Sequence, residues 1–192
     1  MKKTIIIFGF SGSGKTTMAN ILAKKLKLRV IHPSGILKAI CLGKNWKKYK
    51  KIGNNGFWEN KRGFKILKDR LNMTTPPDVL CDKIITSEAK KGNVIIDSWS
   101  LPWLFKGGIK IYLKAPRKIR AKRVSKRDRQ NFKKIYKIVS QKDKDTRTLY
   151  KRIGKFDIMK DLDVFDIIIN TSSLTKKDIE KKIINYIKTR SS

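Results

Sequence analysis

The chain predicts an α/β fold: a five-stranded parallel sheet with helices on both faces. Three observations carry this. Five short apolar runs, at residues 4–8, 28–32, 94–97, 109–113 and 164–170, alternate with stretches of helical periodicity, the pattern of a sheet built from strand–helix–strand units. The runs at 4–8 and 94–96 hold almost no polar residue, as strands covered on both faces require. The first run passes directly into a glycine-rich turn that opens a helix, and ligands of such sheets bind beyond the strand C-termini.

The first element explains the rest. Thr4-Ile5-Ile6-Ile7-Phe8 reads as a buried strand. It is followed by Gly9-Phe10-Ser11-Gly12-Ser13-Gly14-Lys15-Thr16-Thr17, then by a helix with Met18, Ile21, Leu22 and Leu26 on one side. Strand, glycine loop, Lys-Thr, helix is the context of a phosphate-binding loop, so the fold class narrows to a P-loop NTPase. The glycines let backbone N–H groups point at a β-phosphate, and Gly14 leaves room at the helix start. The helix N-terminus adds partial positive charge. Lys15 is expected to reach the β- and γ-phosphates, and the Thr16 hydroxyl to ligate Mg2+. ATP with Mg2+ is therefore the expected ligand of Gly9, Phe10, Ser11, Gly12, Ser13, Gly14, Lys15, Thr16 and Thr17.

Leu28 to His32 is a second short strand, ended by Pro33-Ser34-Gly35. A helix follows through Ile36, Leu37, Ala39, Ile40 and Leu42. Ser34 either caps this helix or touches an acceptor. Lys38, one turn in, is placed to face an acceptor phosphate. His32, the sole histidine, reads as structural. Residues 44–75 are basic and broken by Gly53-Asn54-Asn55-Gly56, with helical spacing returning at Phe64, Leu67 and Leu71, and read as a mobile flap. Trp58 and Arg62 stand four apart, placed either to stack and pair with a nucleotide or to form a plain helix face. Met73 to Pro77 is a break, and Asp78 to Lys91 a helix with Val79, Leu80, Ile84 and Ile85 apolar, ended by Gly92-Asn93.

Val94-Ile95-Ile96-Asp97 is an apolar strand ending in a carboxylate. Asp97 is the expected partner of Thr16 in the Mg2+ shell. The aromatic loop Ser98 to Leu104 either walls the site or packs under it. After the strand Ile109 to Leu113, Lys114-Ala115-Pro116 turns into a helix whose Arg120, Arg123 and Arg127 share a face. Either they form a solvated basic face, or they close over phosphates with their bidentate forks. Asp128 to Arg152 is polar and mostly helical, with few apolar residues, and reads as a lid. Val164 to Asn170 is the last strand. Thr175 and Asp178 form a capping box for a final helix with Ile179, Ile183, Ile184 and Ile187 inward. There is no internal repeat and no long linker.

At 192 residues and 40% hydrophobic the chain is one domain with a real core. It divides into core 1–35, 92–127 and 157–192, acceptor flap 36–91, and lid 128–156. No apolar run approaches the roughly 18 residues of a membrane span. The N-terminus enters the first strand directly, so no signal peptide is read. Two cysteines without CxxC or a Cys/His cluster argue against a disulfide framework or a zinc site. A cytoplasmic monomer is expected. The formal net charge is +33, which attracts polyanions in a salt-dependent way, RNA and nucleotides alike.

The chain resembles the nucleoside-monophosphate kinases, and among them the archaeal type of cytidylate kinase. The likeness runs through Gly9–Thr17, Ser34-Gly35, Gly92–Asp97, Ile111–Pro116 leading into Arg120-Ala121-Lys122-Arg123, Tyr150, Phe156-Asp157-Ile158, and Phe165–Ser172. It implies transfer of the ATP γ-phosphoryl group to CMP or dCMP, with Lys15, Arg123, Arg127 and Arg147 as catalytic cations, Arg120 beside them, and Ser34, Lys38 and Arg62 at the acceptor. Where the family carries Gly-Arg after the third strand, this chain has Ser98-Trp99; Lys38 and Lys142 stand where arginines are expected. Two other functions fit the residues. One is a kinase for another small acceptor, favoured by the tryptophans at 99–103. The other is an RNA-associated NTPase, favoured by the charge.

Overall fold

The computed structural model describes residues 3–52 and 56–190. The Gly53-Asn54-Asn55 part of the predicted flap break lies outside them. Five strands form one parallel sheet in the order β2-β3-β1-β4-β5. They are β1 (Thr4–Phe8), β2 (Arg29–Ile31), β3 (Val94–Asp97), β4 (Ile109–Lys114) and β5 (Ile167–Asn170). The helices are α1 (Lys15–Leu26), α2 (Pro33–Cys41), α3 (Lys61–Asp69), α4 (Pro77–Lys91), α5 (Leu101–Leu104), α6 (Arg117–Asp128), α7 (Phe132–Ile153) and α8 (Lys176–Thr189). Short 3-10 turns span Trp46–Ile52, Phe57–Glu59 and Arg70–Asn72.

β1 is central and every one of its residues is buried. Its side chains alternate between faces, as a strand's must. Ile5 and Ile7 pack with Ile95, Ile111, Met18, Leu22 and Ile183 under α1 and α8. Ile6 packs with Ile96, Ile36, Ile85 and Leu101 under α2 and α4. The sheet is thus covered on both sides, as its unbroken apolar runs predict. β1 pairs β3 with Ile7 opposite Asp97, and the Ser98 N–H donates to the Ile7 carbonyl at 3.0 Å. That register sets the carboxylate beside the mouth of the glycine loop.

Three elements differ from the sequence reading. The aromatic stretch after β3 is partly helical: α5 seats Trp103 in an aromatic cluster with Phe8, Tyr112, Phe156 and Phe165, stacked on Phe156 at 5.0 Å. The buried side of α4 runs through Asp78, Cys81, Ile85 and Ala89, while Leu80 is exposed. α7 is one 22-residue helix whose buried residues include Ile135, Val139, Leu149 and Tyr150 together with Lys142, Asp143 and Asp145. Its polarity does not mark a solvated segment, because Lys142 and Asp143 find partners elsewhere in the fold and Asp145 accepts from Gln141 one turn back on the same helix. The capping box at the start of α8 is present as read, with Thr175 and Asp178 bonding each other's backbone N–H.

Candidate active site

The glycine loop joins β1 to α1 and lines a cavity of about 950 Å3. Two glycines are irreplaceable for different reasons. Gly12 has φ 82°, and a Cβ there would stand 2.4 Å from the Arg120 carbonyl oxygen. Gly14, at the N-cap of α1, has φ 100° with open space where a Cβ would stand. Its requirement is the left-handed backbone rather than room. The first N–H groups of α1 have no intrahelical partner and form an anion seat at the cavity wall.

Arg120 holds this loop from behind. It is buried, forks onto Asp143 at 3.2 and 2.6 Å, and donates to the Ser11 and Ala115 carbonyls at 3.2 and 3.0 Å. Its guanidinium also lies over the Phe10 ring. The expectation that Arg120 covers phosphates is therefore corrected: every fork of this side chain is committed beneath the loop. Arg123 and Arg127 do line the cavity. Arg123 bonds Thr171 through its hydroxyl and carbonyl oxygens, and Arg127 pairs with Asp128 at 2.7 Å and Glu59 at 3.3 Å. Arg147 is outside the cavity lining. It forks onto Asp157 and lines a separate surface depression with Arg117, Lys144 and Met159.

At the mouth of the loop the Thr16 hydroxyl donates to Asp97 Oδ2 at 2.6 Å. Asp97 Oδ1 meets His32 Nδ1 at 2.9 Å, and His32 Nε2 meets Asn20 Oδ1 at 3.1 Å. His32, read from sequence as structural, thus orients the carboxylate that the sequence assigns to metal. A hydroxyl and a carboxylate side by side are the all-oxygen donor set that suits Mg2+, which takes its other ligands from water and phosphate. The Lys15 ammonium is drawn down to about 8 by desolvation, with Asp97 opposing and Lys142 and Arg120 adding to the fall. It lies 5.7 Å from the Trp99 ring centroid. Trp99 therefore faces the site, while Trp103 packs under it.

The other end of the cavity is walled by Ser34, Trp58, Arg70, Asp78, Asp82 and Tyr150. Ser34 lies within the first turn of α2, whose N-cap is His32, so it does not cap that helix. Its carbonyl accepts from the Trp58 indole N–H at 3.2 Å. Lys38 lies off the cavity wall with its ammonium 4.2 Å from the Phe57 ring centroid. Arg62 is exposed and also off the wall, since the buried side of α3 runs through Gly63 and Leu67. The arginine that the fold delivers here is Arg70, buried and paired with Asp78, with Thr146 at 3.4 Å. Asp82 accepts from Ser100 Oγ at 2.5 Å and Tyr150 Oη at 3.5 Å. Burial pushes its carboxyl up to about 7, against the pull of those hydrogen bonds. Burial also raises Asp78, although Arg70 opposes it.

The turn at Phe57–Glu59, α6 and α7 meet at one acid. Glu59 is buried and bonds both Lys142 of α7 and Arg127 of α6. Glu59, Arg70, Asp78 and Asp82 were missed as site residues in the sequence. A signal existed: Arg70 follows Leu67 at helical spacing, and Asp78 precedes Cys81 and Ile85 at the same spacing, so both are charges within apolar stripes.

No helix among the described residues is long and apolar enough to cross a membrane. Residues 4–173 match the model of the cytidylate kinase-like family. A cytidylate kinase of Saccharolobus islandicus (strain L.S.2.15 / Lassen #1) is 36% identical over 95% of this chain and 89% of its own. A cytidylate kinase of Pyrobaculum islandicum is 30% identical over 96% of this chain and 92% of its own. Among solved structures, a gluconokinase from Sinorhizobium meliloti 1021 superposes with a TM-score of 0.61 at 10% identity, covering 98% of this chain and 93% of its own, a likeness of fold. The glycine loop, the parallel sheet and these matches agree: the chain belongs to the cytidylate kinase-like family and is an enzyme of the nucleoside-monophosphate kinase kind.

Proposed function

We propose that the chain transfers the γ-phosphoryl group of ATP to CMP or dCMP. The observation that carries this reading is one continuous cavity with the Lys15 and Thr16–Asp97 groups at one end and a walled acceptor end at the other. The loop at residues 9–17 seats the triphosphate. Lys15, brought to about 8 by desolvation, regains full charge against phosphate oxygens. Thr16 and Asp97 hold Mg2+, which when bound neutralises the β- and γ-oxygens. Arg123 and Arg127 add positive charge where negative charge spreads in the transition state, and Lys142 takes the place of the expected lid arginine. Arg147 serves this site only if it exchanges Asp157 for phosphate. An acceptor phosphate is already ionised at neutral pH, so no general base is needed.

In the same reading the core is 1–35, 92–127 and 157–192, the acceptor flap 36–91 and the lid 128–156. The test is an ADP-release assay across CMP, dCMP, UMP, AMP and GMP. Rapid turnover with CMP or dCMP is expected. Lys15→Ala should lower kcat about 10²- to 10³-fold, the scale of losing one transition-state donor. Turnover with none of the five acceptors overturns the proposal.

A further inference from the structure

Resting on the reading that the acceptor is a nucleoside monophosphate, we propose that Asp78 and Asp82 read the acceptor base and select an exocyclic amino group, cytosine over uracil. The cavity has a direction. Lys142 and Tyr150 both line it, and lie on one helix eight residues apart, a span of about 12 Å at 1.5 Å per residue. Lys142 is close enough to Lys15 to depress its basicity, so that end belongs to phosphate transfer. Tyr150 bonds Asp82, so the other end carries Asp82 beside the Arg70–Asp78 pair.

Asp78 and Asp82 stand one turn apart on α4, a spacing that puts both on one face, and both line the cavity. Asp78 gives one oxygen to Arg70, while its second oxygen, Oδ2, is buried with no partner. The residue is only 3% exposed. A buried acceptor left unpaired is costly, which a ligand N–H would relieve. Ser100 and Tyr150, which line the cavity beside it, both donate to Asp82 Oδ1.

Arg70 offsets the charge of Asp78 at this end, whereas Lys15, Arg123, Arg127 and Lys142 gather excess positive charge along the rest of the wall, so a nucleotide enters with its phosphate toward Lys15 and its base toward α4. Cytosine offers an amino N–H where uracil offers a carbonyl oxygen. Asp78 Oδ2, an acceptor whose sister oxygen is already taken by Arg70, bonds the first and repels the second, which is selection by an unfavourable contact as well as a favourable one. The missing Gly-Arg after β3 is consistent with this: Ser98 and Ser100 occupy that segment, and Ser100 orients Asp82 instead.

The experiment compares kcat/KM for CMP and UMP at saturating ATP in the wild type, Asp82→Asn and Asp78→Asn. The wild type is expected to favour CMP. Either substitution should lower the CMP:UMP ratio about tenfold or more, because a paired polar edge is lost for one base only, with the KM for ATP unchanged. An active variant whose ratio is unchanged, even with both rates reduced, overturns the inference and leaves kinase function standing. A wild type inactive on every nucleotide overturns the reading beneath it as well. Should the acidic variants not fold, Ser100→Ala decides: it removes the 2.5 Å bond that orients Asp82 together with a 3.3 Å contact to the Ser98 hydroxyl, and must lower the ratio in the same direction.

Discussion

Removing Asp143 tests whether the glycine loop depends on a brace the sequence does not display. Arg120 and Asp143 have side chains only 6% and 1% exposed, and the two bonds of their fork measure 3.2 and 2.6 Å. Asp143→Ala leaves a buried guanidinium with only carbonyl oxygens. Breaking one side of a buried ion pair costs about 3–5 kcal/mol. For a domain of this size each kcal/mol moves the melting temperature by about 2–4 °C, so a fall of roughly 6–20 °C is expected. Because Arg120 also bonds the Ser11 carbonyl, the loop loosens and the KM for ATP rises. The double variant Arg120→Met with Asp143→Leu separates the two effects. An apolar pair of similar volume recovers most of the stability, yet supplies no bond to Ser11, so the KM stays high. Thermal unfolding followed by circular dichroism, with ATP kinetics on the same samples, reads both. A melting shift under about 2 °C, or a double variant with normal ATP affinity, refutes the reasoning.

Three further outcomes are expected. Asp97→Asn replaces a carboxylate by a poorer ligand for a hard cation, and the Mg2+ concentration for half-maximal rate should rise about tenfold or more; an unchanged requirement removes Asp97 from the metal shell. Gly12→Ala drives a Cβ to 2.4 Å from the Arg120 carbonyl oxygen and should abolish tight ATP binding, whereas Gly43→Ala, which strains a left-handed backbone (φ 63°) off the cavity wall, should lower stability but leave ATP affinity intact, as measured by equilibrium nucleotide titration. Asp82 makes stability depend on pH. Its carboxyl stands at about 7 in the fold against an ordinary 3.8, so the folded chain holds this proton more tightly. The advantage is full below about pH 4 and is lost as pH rises to about 7, some 4 kcal/mol in all at 1.36 kcal/mol per pH unit. Asp82→Asn should therefore raise the melting temperature relative to the wild type most at pH 8, with the gain shrinking toward pH 5; a gain that grows on acidification contradicts the assignment.

What the sequence made legible was local. Five apolar residues before a glycine turn announce β1 and its loop, and a short apolar run ending in Asp97 announces β3. The register that sets Ile7 opposite Asp97 is settled only when the two strands pair. The acceptor end was not legible, for a physical reason. Lys142, Asp143 and Asp145 look like a solvated run, yet they are buried because their partners Glu59, Arg120 and Gln141 reach them. Two of those partners lie 83 and 23 residues away, a distance that no periodicity reports. Arg62 and Arg70 belong to one basic stretch, and only the packing of α3 and the turn after it sends the second inward and the first to solvent. His32 was discounted as a lone imidazole, since its bonds to Asn20 and Asp97 exist only once α1 and β3 are side by side.

Helix α7 touches the loop brace through Asp143, the phosphate end through Lys142, Arg70 through Thr146 and the acidic end through Tyr150. These four residues ride on one rigid rod. A shift of that rod displaces all four together, so donor and acceptor cannot be gripped independently. The arrangement predicts that ATP and acceptor affinities are coupled, each ligand changing the other's Kd by the same factor, which titrating one in the presence of the other reads.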